Sequence, residues 1–349
     1  MMTERPVLVL AASARPLARS LVRAGHAVRC YDFFADLDTP HVMKTDATAG
    51  AVEDEPPDRP LIYGGAFENR PEVLERIARR RPLLGCPPVA IHGVRAGLFA
   101  LAAELGLRVP QEQPNGTLPP AGDRLWKPFA SAAGQRIGLR PLDGVAGRWQ
   151  ERIDGASVGA AFVAREGECV PLGLVRHHPN PTQRDPAQPF AMQDLTHDPA
   201  KAIPQPLVEL AAAAVARFGL RGPFNIDAIL TPDGPVPLEC NPRYTSGMEL
   251  IERAAEQSVF DASFGEIVLR QPRRCWAKRI LLAHRAMRSR LSLSSRPGDW
   301  VADIPPPGTL VDAGQPWCTV FAEAGDAADS RTQLDARRRL LEADFADPV

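Results

Sequence analysis

The most informative part of the chain runs Phe224-Asn225-Ile226-Asp227-Ala228-Ile229-Leu230, then Thr231-Pro232-Asp233-Gly234, then Pro235-Val236-Pro237-Leu238-Glu239-Cys240-Asn241-Pro242-Arg243. Apolar and polar residues alternate on both sides of a Pro-Asp-Gly turn, which is the pattern of a β-hairpin. With the turn centred on Asp233, Asp227 faces Glu239. Asn225 and Asn241 form the next facing pair on the same side, because side chains two positions apart share one face of a strand. The sequence therefore predicts four converging oxygen-bearing side chains.

The two facing carboxylates indicate a site for a divalent cation. Carboxylates at cross-strand distance repel each other unless positive charge lies between them. Mg²⁺ prefers oxygen ligands and commonly binds one or two carboxylates together with water and nucleotide phosphates. We therefore predict that Asp227, Glu239 and Asn241 bind Mg²⁺, or Mn²⁺ in its place. The alternatives are a hairpin with an ordinary solvated acidic side, or a register shifted by one residue, which would separate the group.

Composition limits the classes of function. At 349 residues, with 44% hydrophobic and 24% charged residues, the chain resembles a soluble globular protein of two or three domains. A net charge of −1 gives no argument for nucleic acid or a membrane surface as partner. No apolar run reaches the length of a membrane span, and no signal-like segment opens the chain. Six scattered cysteines form no CxxC pair, so we expect a reduced, cytoplasmic protein without a zinc site.

Residues 1–93 predict a small open α/β domain. A strand at residues 7–10, an amphipathic helix from Pro16 to Ala24 and a strand at residues 28–31 form a β-α-β unit, which starts a parallel sheet. The turn after the first strand lacks the GxGxxG pattern, so an NAD-linked oxidoreductase is not supported. A further strand at residues 60–63 and a helix over 71–80 complete this part.

Residues 94–271 predict a second, two-lobed domain, and residues 272–349 a small β unit with a tail helix. The predicted elements are a helix over 94–105, strands at 124–128, 135–139, 147–153, 157–164 and 168–176, helices over 204–218 and 247–257, and a tail helix over 331–343. Residues 177–200 show no periodicity and predict a loop over a site. The fold class is therefore mixed, α/β and α+β.

A lysine and a loop of small residues indicate a phosphate site. Lysine occurs only at positions 44, 127, 201 and 278, in a chain with 41 basic residues. Because the chain otherwise uses arginine, a lysine indicates a position that requires its compact ammonium group. Lys127 ends a predicted strand, and Ser131 to Gly134 follow as a loop whose backbone N–H groups could approach phosphates. A salt-bridged surface lysine beside an ordinary turn is the alternative.

A predicted strand end provides a place for an adenine ring. Gln150, Glu151 and Ile153 lie where the strand runs into Asp154-Gly155, and the backbone of such an edge can hydrogen-bond a base. An ordinary strand end is the alternative. Arg243 follows the acidic hairpin by two residues, where its charge could stabilise a transferred phosphate. A phosphate lysine, an adenine edge, a carboxylate pair for Mg²⁺ and an arginine together suit phosphoryl transfer from ATP.

In this order the motifs resemble the ATP-grasp superfamily, which includes biotin carboxylase and carboxylate–amine ligases. The resemblance implies an ATP-grasp fold with an N-terminal Rossmann-like domain and a small C-terminal β unit. It implies these roles: ATP contacts by Lys127, Ser131, Gly134, Gln150, Glu151 and Ile153, metal binding by Asp227, Glu239 and Asn241, and catalysis by Lys127 and Arg243. The loop from Ser131 to Gly134 carries one glycine where the family usually has two or more.

A narrower resemblance concerns the N-terminal third and the tail. The runs at residues 31–39, 64–71, 300–305 and 314–318 are similar to a group of predicted ATP-grasp carboligases, among them a tyramine–glutamate ligase of methanofuran synthesis. This implies an ATP- and Mg²⁺-dependent ligase that joins a small carboxylate to an amine through an acyl phosphate, in tetrahydromethanopterin- or methanofuran-type cofactor synthesis. The alternatives are a biotin carboxylase-like enzyme that uses bicarbonate, or a nucleotide-binding protein without turnover.

Several other residues have less specific interpretations. His177 and His178 are adjacent on a strand end and are expected to face opposite ways, which is poor metal geometry. Glu68 and Asn69 follow a strand of the first domain, where ligands of open α/β sheets bind, although Asn69 could equally cap the next helix. The arginines of the tail helix form either a solvated face or a contact between subunits, so a homodimer is left open.

Overall fold

The computed structural model describes residues 5–114, 123–131, 133–181, 192–264 and 274–348. Its first layer is a parallel sheet flanked by helices. The elements are β1 (Val7–Ala11), α1 (Arg15–Arg23), β2 (Val28–Asp32), β3 (Val42–Lys44), β4 (Leu61–Tyr63), α2 (Pro71–Ala78), β5 (Leu83–Leu84) and α3 (Pro88–Glu104). The strands lie in the order β3-β2-β1-β4-β5, and all neighbours are parallel. Because the order reverses between β1 and β4, a crevice is expected beyond their carboxyl ends.

The start of α1 explains why this sheet lacks a glycine-rich turn. The Asp32 carboxylate at the end of β2 accepts a hydrogen bond from the backbone N–H of Ala14, 2.6 Å away, just before α1 begins. Its other oxygen accepts N–H bonds from Phe34 and Ala35 at 2.7 and 2.8 Å. A side-chain carboxylate therefore fills the position at the helix N-terminus where a dinucleotide phosphate would sit.

The middle of the chain builds a small sheet and most of a large one. Its elements are β6 (Glu112–Pro114), β7 (Arg124–Pro128), β8 (Gly147–Glu151), β9 (Ala156–Arg165), β10 (Glu168–His178), β11 (Asp194–His197), α4 (Gln205–Phe218), β12 (Gly222–Thr231), β13 (Gly234–Asn241), α5 (Met248–Ala255) and α6 (Val259–Phe264). The small sheet has the order β6-β8-β7, with antiparallel pairing.

The C-terminal part completes the large sheet. Its elements are β14 (Cys275–Leu282), β15 (Met287–Ser289), β16 (Val301–Ala302), β17 (Leu310–Val311), β18 (Pro316–Ala324), α7 (Ala327–Asp344) and β19 (Ala346–Pro348). The eight-stranded sheet runs β13-β12-β9-β10-β11-β14-β18-β16, and β17-β15-β19 form a separate three-stranded sheet. The domain limits at 93 and 271 stay a prediction, since strands from beyond 271 continue the central sheet.

Two predicted segments differ from the structure. The loop expected at 177–200 contains the end of β10 and all of β11, an inner strand whose Asp194 is buried against Arg279 at 2.7 Å. This strand was not predicted because it has only four residues and because a buried ion pair breaks the alternation of apolar and polar side chains. Residues 182–191 lie outside the described part of the chain. The strand expected at 135–139 is a turn, in which only Gly138 bridges to Trp126.

Alternation along β9 and β12 gives the large sheet two different faces. Phe162 and Phe224 stack on one face with ring centroids 5.3 Å apart, inside a core that also contains Leu8 and Leu10 of the N-terminal sheet. Asn225 and Asp227 belong to the opposite face of β12, as the period of two requires. The candidate site therefore lies on a face set by packing on the other side.

A buried charge cluster ties the three parts of the chain together. Arg15 of α1 binds Glu249 of α5 and Asp303 near the C-terminal strands, each at 2.6 Å. Lys278 of β14 binds the same Glu249 at 2.7 Å. Buried charges are stable only when paired in this way, so this cluster fixes the N-terminal layer against the large sheet. Among the described residues, no helix has the length and apolar content to cross a membrane.

Glu252→Gln should flatten part of the pH dependence of stability. Burial raises the pKa of Glu252 to about 7, against the hydrogen bonds that Ser20, Tyr244 and the Val259 N–H donate to it. An unfolded glutamate titrates near about 4.3. The folded state therefore holds the proton to higher pH. The resulting contribution to the free energy of unfolding, about 4 kcal/mol, is fully present below pH 4 and is lost as the pH rises through 7.

Urea unfolding at several pH values between 4 and 8 measures this effect. The difference in unfolding free energy between Glu252→Gln and wild type should grow in favour of the variant as the pH rises, because glutamine stays neutral. Glu256→Gln, on an exposed neighbour, is the control and should show no such trend. A constant difference between Glu252→Gln and wild type over this range would contradict the expectation.

Candidate functional site

The hairpin of β12 and β13 has the predicted facing pairs. Asp227 pairs with Glu239 and Asn225 with Asn241. A bulge follows Asp227, and beyond it Thr231 pairs with Gly234 across a two-residue turn. The turn is therefore centred between Pro232 and Asp233, not on Asp233. The bulge adds one residue to β13, so that Asp227 still faces Glu239. β13 tolerates Pro235 and Pro237 because it is the edge strand.

The four side chains contact each other directly. Asn225 Nδ2 donates to Asp227 Oδ1 at 2.6 Å. Asn241 Nδ2 donates to Asp227 Oδ2 at 3.0 Å and to Glu239 Oε1 at 3.2 Å. Neutral amide hydrogens thus occupy the space between two carboxylates, where a cation would satisfy both more strongly.

The positive charge near Asp227 and Glu239 does not balance the two carboxylates. Burial, and then repulsion from Glu239, raise the pKa of Asp227 to about 8. Burial also raises the pKa of Glu239, but attraction to Lys127 and the hydrogen bond from Asn241 outweigh it, so the pKa of Glu239 is lowered. The Glu239 carboxylate is crowded by protein groups yet keeps an exposed surface. Two carboxylates this close do not ionise together easily, and a divalent cation between them would stabilise both in the charged form.

The donor set fits Mg²⁺ bound together with phosphates. Within the described residues, no group of three or more His, Cys, Asp or Glu side chains is placed to hold a metal. Mg²⁺ typically takes one or two carboxylates and completes its shell with water and substrate phosphates, which matches Asp227 and Glu239.

A glycine and a histidine border the acidic pair. A Cβ added at Gly159 of β9 would lie 3.0 Å from Asn225 Oδ1, 3.1 Å from Asp227 Oδ1 and 3.1 Å from His177 Nε2. His177 Nδ1 lies 3.2 Å from Ser157 Oγ, and burial lowers the pKa of His177 to about 4, so the ring is neutral at pH 7. The adjacent His178 contacts Thr196 instead. His177 is thus a site residue that the sequence analysis left without a role.

The Lys127 ammonium interacts electrostatically with Asp227 and Glu239. Burial lowers the pKa of Lys127, and attraction to Glu239 is the strongest opposing effect. Its neighbour across β7 and β8 is Arg148, which adds like charge. No side chain in the described part of the chain forms a hydrogen bond or ion pair with the Lys127 ammonium. A partly desolvated cation without a fixed partner is well suited to bind an anionic ligand.

The predicted phosphate loop contacts the N-terminal layer. The carbonyl of Ser131 accepts a hydrogen bond from Asn69 Nδ2 at 3.0 Å, and Asn69 Oδ1 accepts from Arg95 at 2.7 Å. Asn69 does not cap α2, which begins after Arg70 without a side-chain cap. Gly134 takes a positive φ of 70°, and Ala132 lies outside the described residues. The phosphate role of Ser131 and Gly134 stays a prediction.

The predicted adenine residues lie at the end of β8. Gln150 is buried and donates to Glu112 at 2.8 Å. Glu151 accepts from Arg108 and from the Gln111 N–H, and Ile153 is half-buried just beyond the strand. β8 is also the central strand of the small sheet, and the backbone N–H of Glu151 donates to the Gln111 carbonyl at 2.8 Å. Their adenine role stays a prediction.

Arg243 connects the acidic hairpin to the N-terminal crevice. Its Nε donates to Glu68 Oε1 at 2.6 Å, its Nη2 to Asn241 Oδ1 at 3.1 Å and its Nη1 to the Tyr244 carbonyl at 3.2 Å. A guanidinium has five N–H groups, so two remain for an anion. Burial opposes its charge, but Glu68 outweighs burial and raises the pKa of Arg243.

Comparison with known proteins identifies the fold. Residues 100–247 match the family model of an ATP-grasp domain. This part of the chain therefore resembles an ATP-grasp domain. An uncharacterized protein of Methanocaldococcus jannaschii is 28% identical over 123 residues, which are 35% of this chain and 31% of that protein. The chain thus matches about a third of that relative's length.

Solved structures share the ATP-grasp fold over nearly the whole chain. Carboxyaminoimidazole ribonucleotide synthase of Aspergillus clavatus, complexed with ATP, superposes with a TM-score of 0.72 at 15% identity and covers 98% of this chain and 100% of its own. Biotin carboxylase of Campylobacter jejuni gives 0.69 at 12%, with 98% and 92% covered. L-amino acid ligase of Bacillus licheniformis gives 0.66 at 13%, with 99% and 100% covered. The predicted fold is confirmed.

Gly159→Ala should weaken metal binding while preserving the ATP-grasp fold. The new methyl group would press on Asp227, Asn225 and His177 at distances that side chains rarely tolerate. We expect a 10- to 100-fold weaker Mn²⁺ affinity in the presence of a non-hydrolysable ATP analogue, comparable to the loss of an outer partner of a metal site. Electron paramagnetic resonance of free Mn²⁺ measures it. Gly325→Ala, where nothing lies within 4 Å, is the control; equal Mn²⁺ affinity in both variants would contradict the expectation.

Proposed function

We propose that this protein is an ATP- and Mg²⁺-dependent ligase that joins a small carboxylate to an amine. The observation that carries the proposal is the Asp227–Glu239 pair, which attracts Lys127 and adjoins Arg243 through Asn241. Arg243 in turn contacts Glu68 of the parallel-sheet layer. Positive and negative groups in this order suit a nucleotide triphosphate with its metal. The superfamily's ligases and carboxylases support the same conclusion.

The chain's own residues would act by positioning and by charge. Asp227 and Glu239, with Asn241, would hold the metal, which supplies charge neutralisation at the phosphates when bound. Lys127 would bind the terminal phosphates as a compact cation, and the two free N–H groups of Arg243 would bind the transferred phosphoryl group. Held in line, the substrate carboxylate attacks the terminal phosphorus, and an acyl phosphate and ADP result.

The second step transfers the acyl group to the amine. The amine nitrogen attacks the acyl carbon, the C–N bond forms, and the bond to phosphate breaks, so that phosphate leaves and an amide remains. Within the described residues, the cysteine of the hairpin, Cys240, is buried and points away from the acidic pair, so it is no candidate for a covalent intermediate. Proximity and orientation supply most of the rate enhancement in such a mechanism.

A hydroxylamine trap tests this function without knowledge of the amine. The protein is incubated with ATP, Mg²⁺, hydroxylamine and a panel of single carboxylic acids that begins with L-glutamate and the other proteinogenic amino acids. A ligase converts the correct acid to a hydroxamate, with one ADP per hydroxamate. Tyramine and related amines then replace hydroxylamine with that acid. The absence of both hydroxamate and ADP with every acid would contradict the proposal.

A carboxylase that uses bicarbonate is the second candidate, because biotin carboxylase shares the fold over 98% of this chain. In that case ADP release would depend on bicarbonate and not on an organic acid, which the same assay in bicarbonate-free buffer distinguishes. For the ligase, a cytoplasmic role in one-carbon cofactor synthesis is part of the proposal. It rests on the narrower sequence resemblance and would require activity with tyramine or a similar amine.

A further inference from the structure

Glu68 is a buried carboxylate with one oxygen left unused. Its side chain is 1% exposed, and Oε1 accepts the Arg243 Nε–H at 2.6 Å. Oε2 is buried and has no hydrogen-bond partner among the described residues. An unsatisfied buried carboxylate oxygen costs free energy unless a donor is supplied. The missing donor is therefore an N–H or O–H group that the described residues do not provide.

The position of Glu68 places this oxygen beside Arg243, which the proposed function assigns to the transferred phosphoryl group. Glu68 lies in a short 3₁₀ helix, Phe67–Asn69, just beyond the carboxyl end of β4 and at the crevice between β1 and β4. The Arg243 guanidinium packs beside Gly65, with its carbon 3.8 Å from where a Cβ would lie, which is ordinary van der Waals contact. Ala66 takes a positive φ of 83° to turn the chain here, a strained conformation of the kind found at ligand sites.

Charge selects the class of ligand that Oε2 can bind. The acid substrate and the ATP phosphates are anions, and both belong on the Arg243 side of the Glu68–Arg243 pair. An ammonium or amine is attracted to the carboxylate and can donate the N–H that Oε2 lacks.

We propose that Glu68 binds the amine substrate through Oε2 and accepts its proton. This rests on the proposed ligase function. As the amine nitrogen attacks the acyl phosphate, the C–N bond forms, the bond to phosphate breaks and phosphate leaves with its electron pair. Before the attack, the Glu68 carboxylate takes a proton from the bound ammonium, which frees the lone pair of the nitrogen, and the second proton lost from nitrogen leaves with the phosphate. Arg243, held by the other oxygen of the same carboxylate, keeps the acyl phosphate beside the amine.

Glu68→Gln separates this role from a structural one. Glutamine keeps an oxygen for the Arg243 Nε–H but offers neither negative charge nor a proton acceptor at the second position. With the acid that gives hydroxamate in the wild type, hydroxamate formation should stay within about threefold, because hydroxylamine is already uncharged at neutral pH. Amide formation with a basic primary amine such as tyramine should fall at least 100-fold, within the range for loss of a general base.

Two further variants keep this result interpretable. Glu55→Gln removes a carboxylate that is also buried, at 7% exposed, in the same layer but bound to Arg29 and Arg59. It should affect both reactions equally if at all. Glu68→Asp keeps a carboxylate and should recover part of the amide formation. Equal loss of hydroxamate and amide in Glu68→Gln, or no loss of either, would overturn the role of Glu68, whereas no hydroxamate from the wild type would overturn the ligase function itself.

Discussion

Replacing Glu239 with glutamine should reduce ATP turnover by more than about 100-fold. The variant keeps the size of the side chain but removes the carboxylate that faces Asp227 across the hairpin and attracts Lys127. Loss of an outer partner of a metal site typically costs 10- to 100-fold, and loss of a direct ligand should exceed this. The measurement is Mg²⁺-dependent ADP release with the acid identified by the hydroxamate assay.

The fold should survive this substitution. Glu239 lies on an edge strand, its surface is exposed, and its removal relieves repulsion with Asp227, so thermal stability should be unchanged or slightly higher. Asp233→Asn, in the exposed turn of the same hairpin, is the matched control and should keep full activity. The variant Asp227→Asn/Glu239→Gln should lose little more than either single variant, since both residues serve one metal. Full turnover by Glu239→Gln would remove the assignment of the metal site.

Arg243→Lys should reduce turnover by about 10³-fold although it preserves the charge. Lysine has one ammonium group and cannot reach Glu68, Asn241 and the Tyr244 carbonyl together, as the planar guanidinium does. An arginine that stabilises a transferred phosphoryl group contributes about 10³- to 10⁵-fold to the rate in related chemistry. Steady-state kinetics of ADP release should show that kcat falls while KM for ATP changes little.

The control for Arg243→Lys is a surface arginine with a single partner. Arg217→Lys changes an exposed residue of α4 whose one ion-pair partner among the described residues is Glu104, and it should leave activity and stability unchanged. If Arg243→Lys instead raised KM for ATP and left kcat unchanged, Arg243 would be a ground-state binding residue, and its role at the transferred phosphate would be wrong.

The acidic hairpin was predictable because its information is local. Alternating residues and a Pro-Asp-Gly turn identify two strands, and the period of two places Asp227 and Glu239 on one face. The bulge after Asp227 was not predictable, and the centre assumed for the turn was half a residue off. The facing pairs are still the predicted ones, because the extra residue of the bulge offsets the shift in the centre of the turn.

The parts that the sequence did not reveal depend on contacts between distant segments. Glu68 meets Arg243 across 175 positions of sequence, so neither residue carries a local signal of the pair. His177 reaches the site only because Gly159 on the next strand has no side chain. The strand β11 was assigned to a loop, since four residues next to a polar stretch carry too little periodicity, and only its place between β10 and β14 makes it a strand.

Metal binding to the nucleotide complex tests the central claim most directly. Mn²⁺ is titrated into wild type and the Asp227→Asn/Glu239→Gln variant, each with a non-hydrolysable ATP analogue, and free Mn²⁺ is followed by electron paramagnetic resonance. The wild type should bind Mn²⁺ in a protein–nucleotide complex, and the variant should leave Mn²⁺ no more tightly bound than the nucleotide alone does. Equal Mn²⁺ binding by both proteins would show that the two carboxylates hold no metal, which would contradict the proposed ATP site.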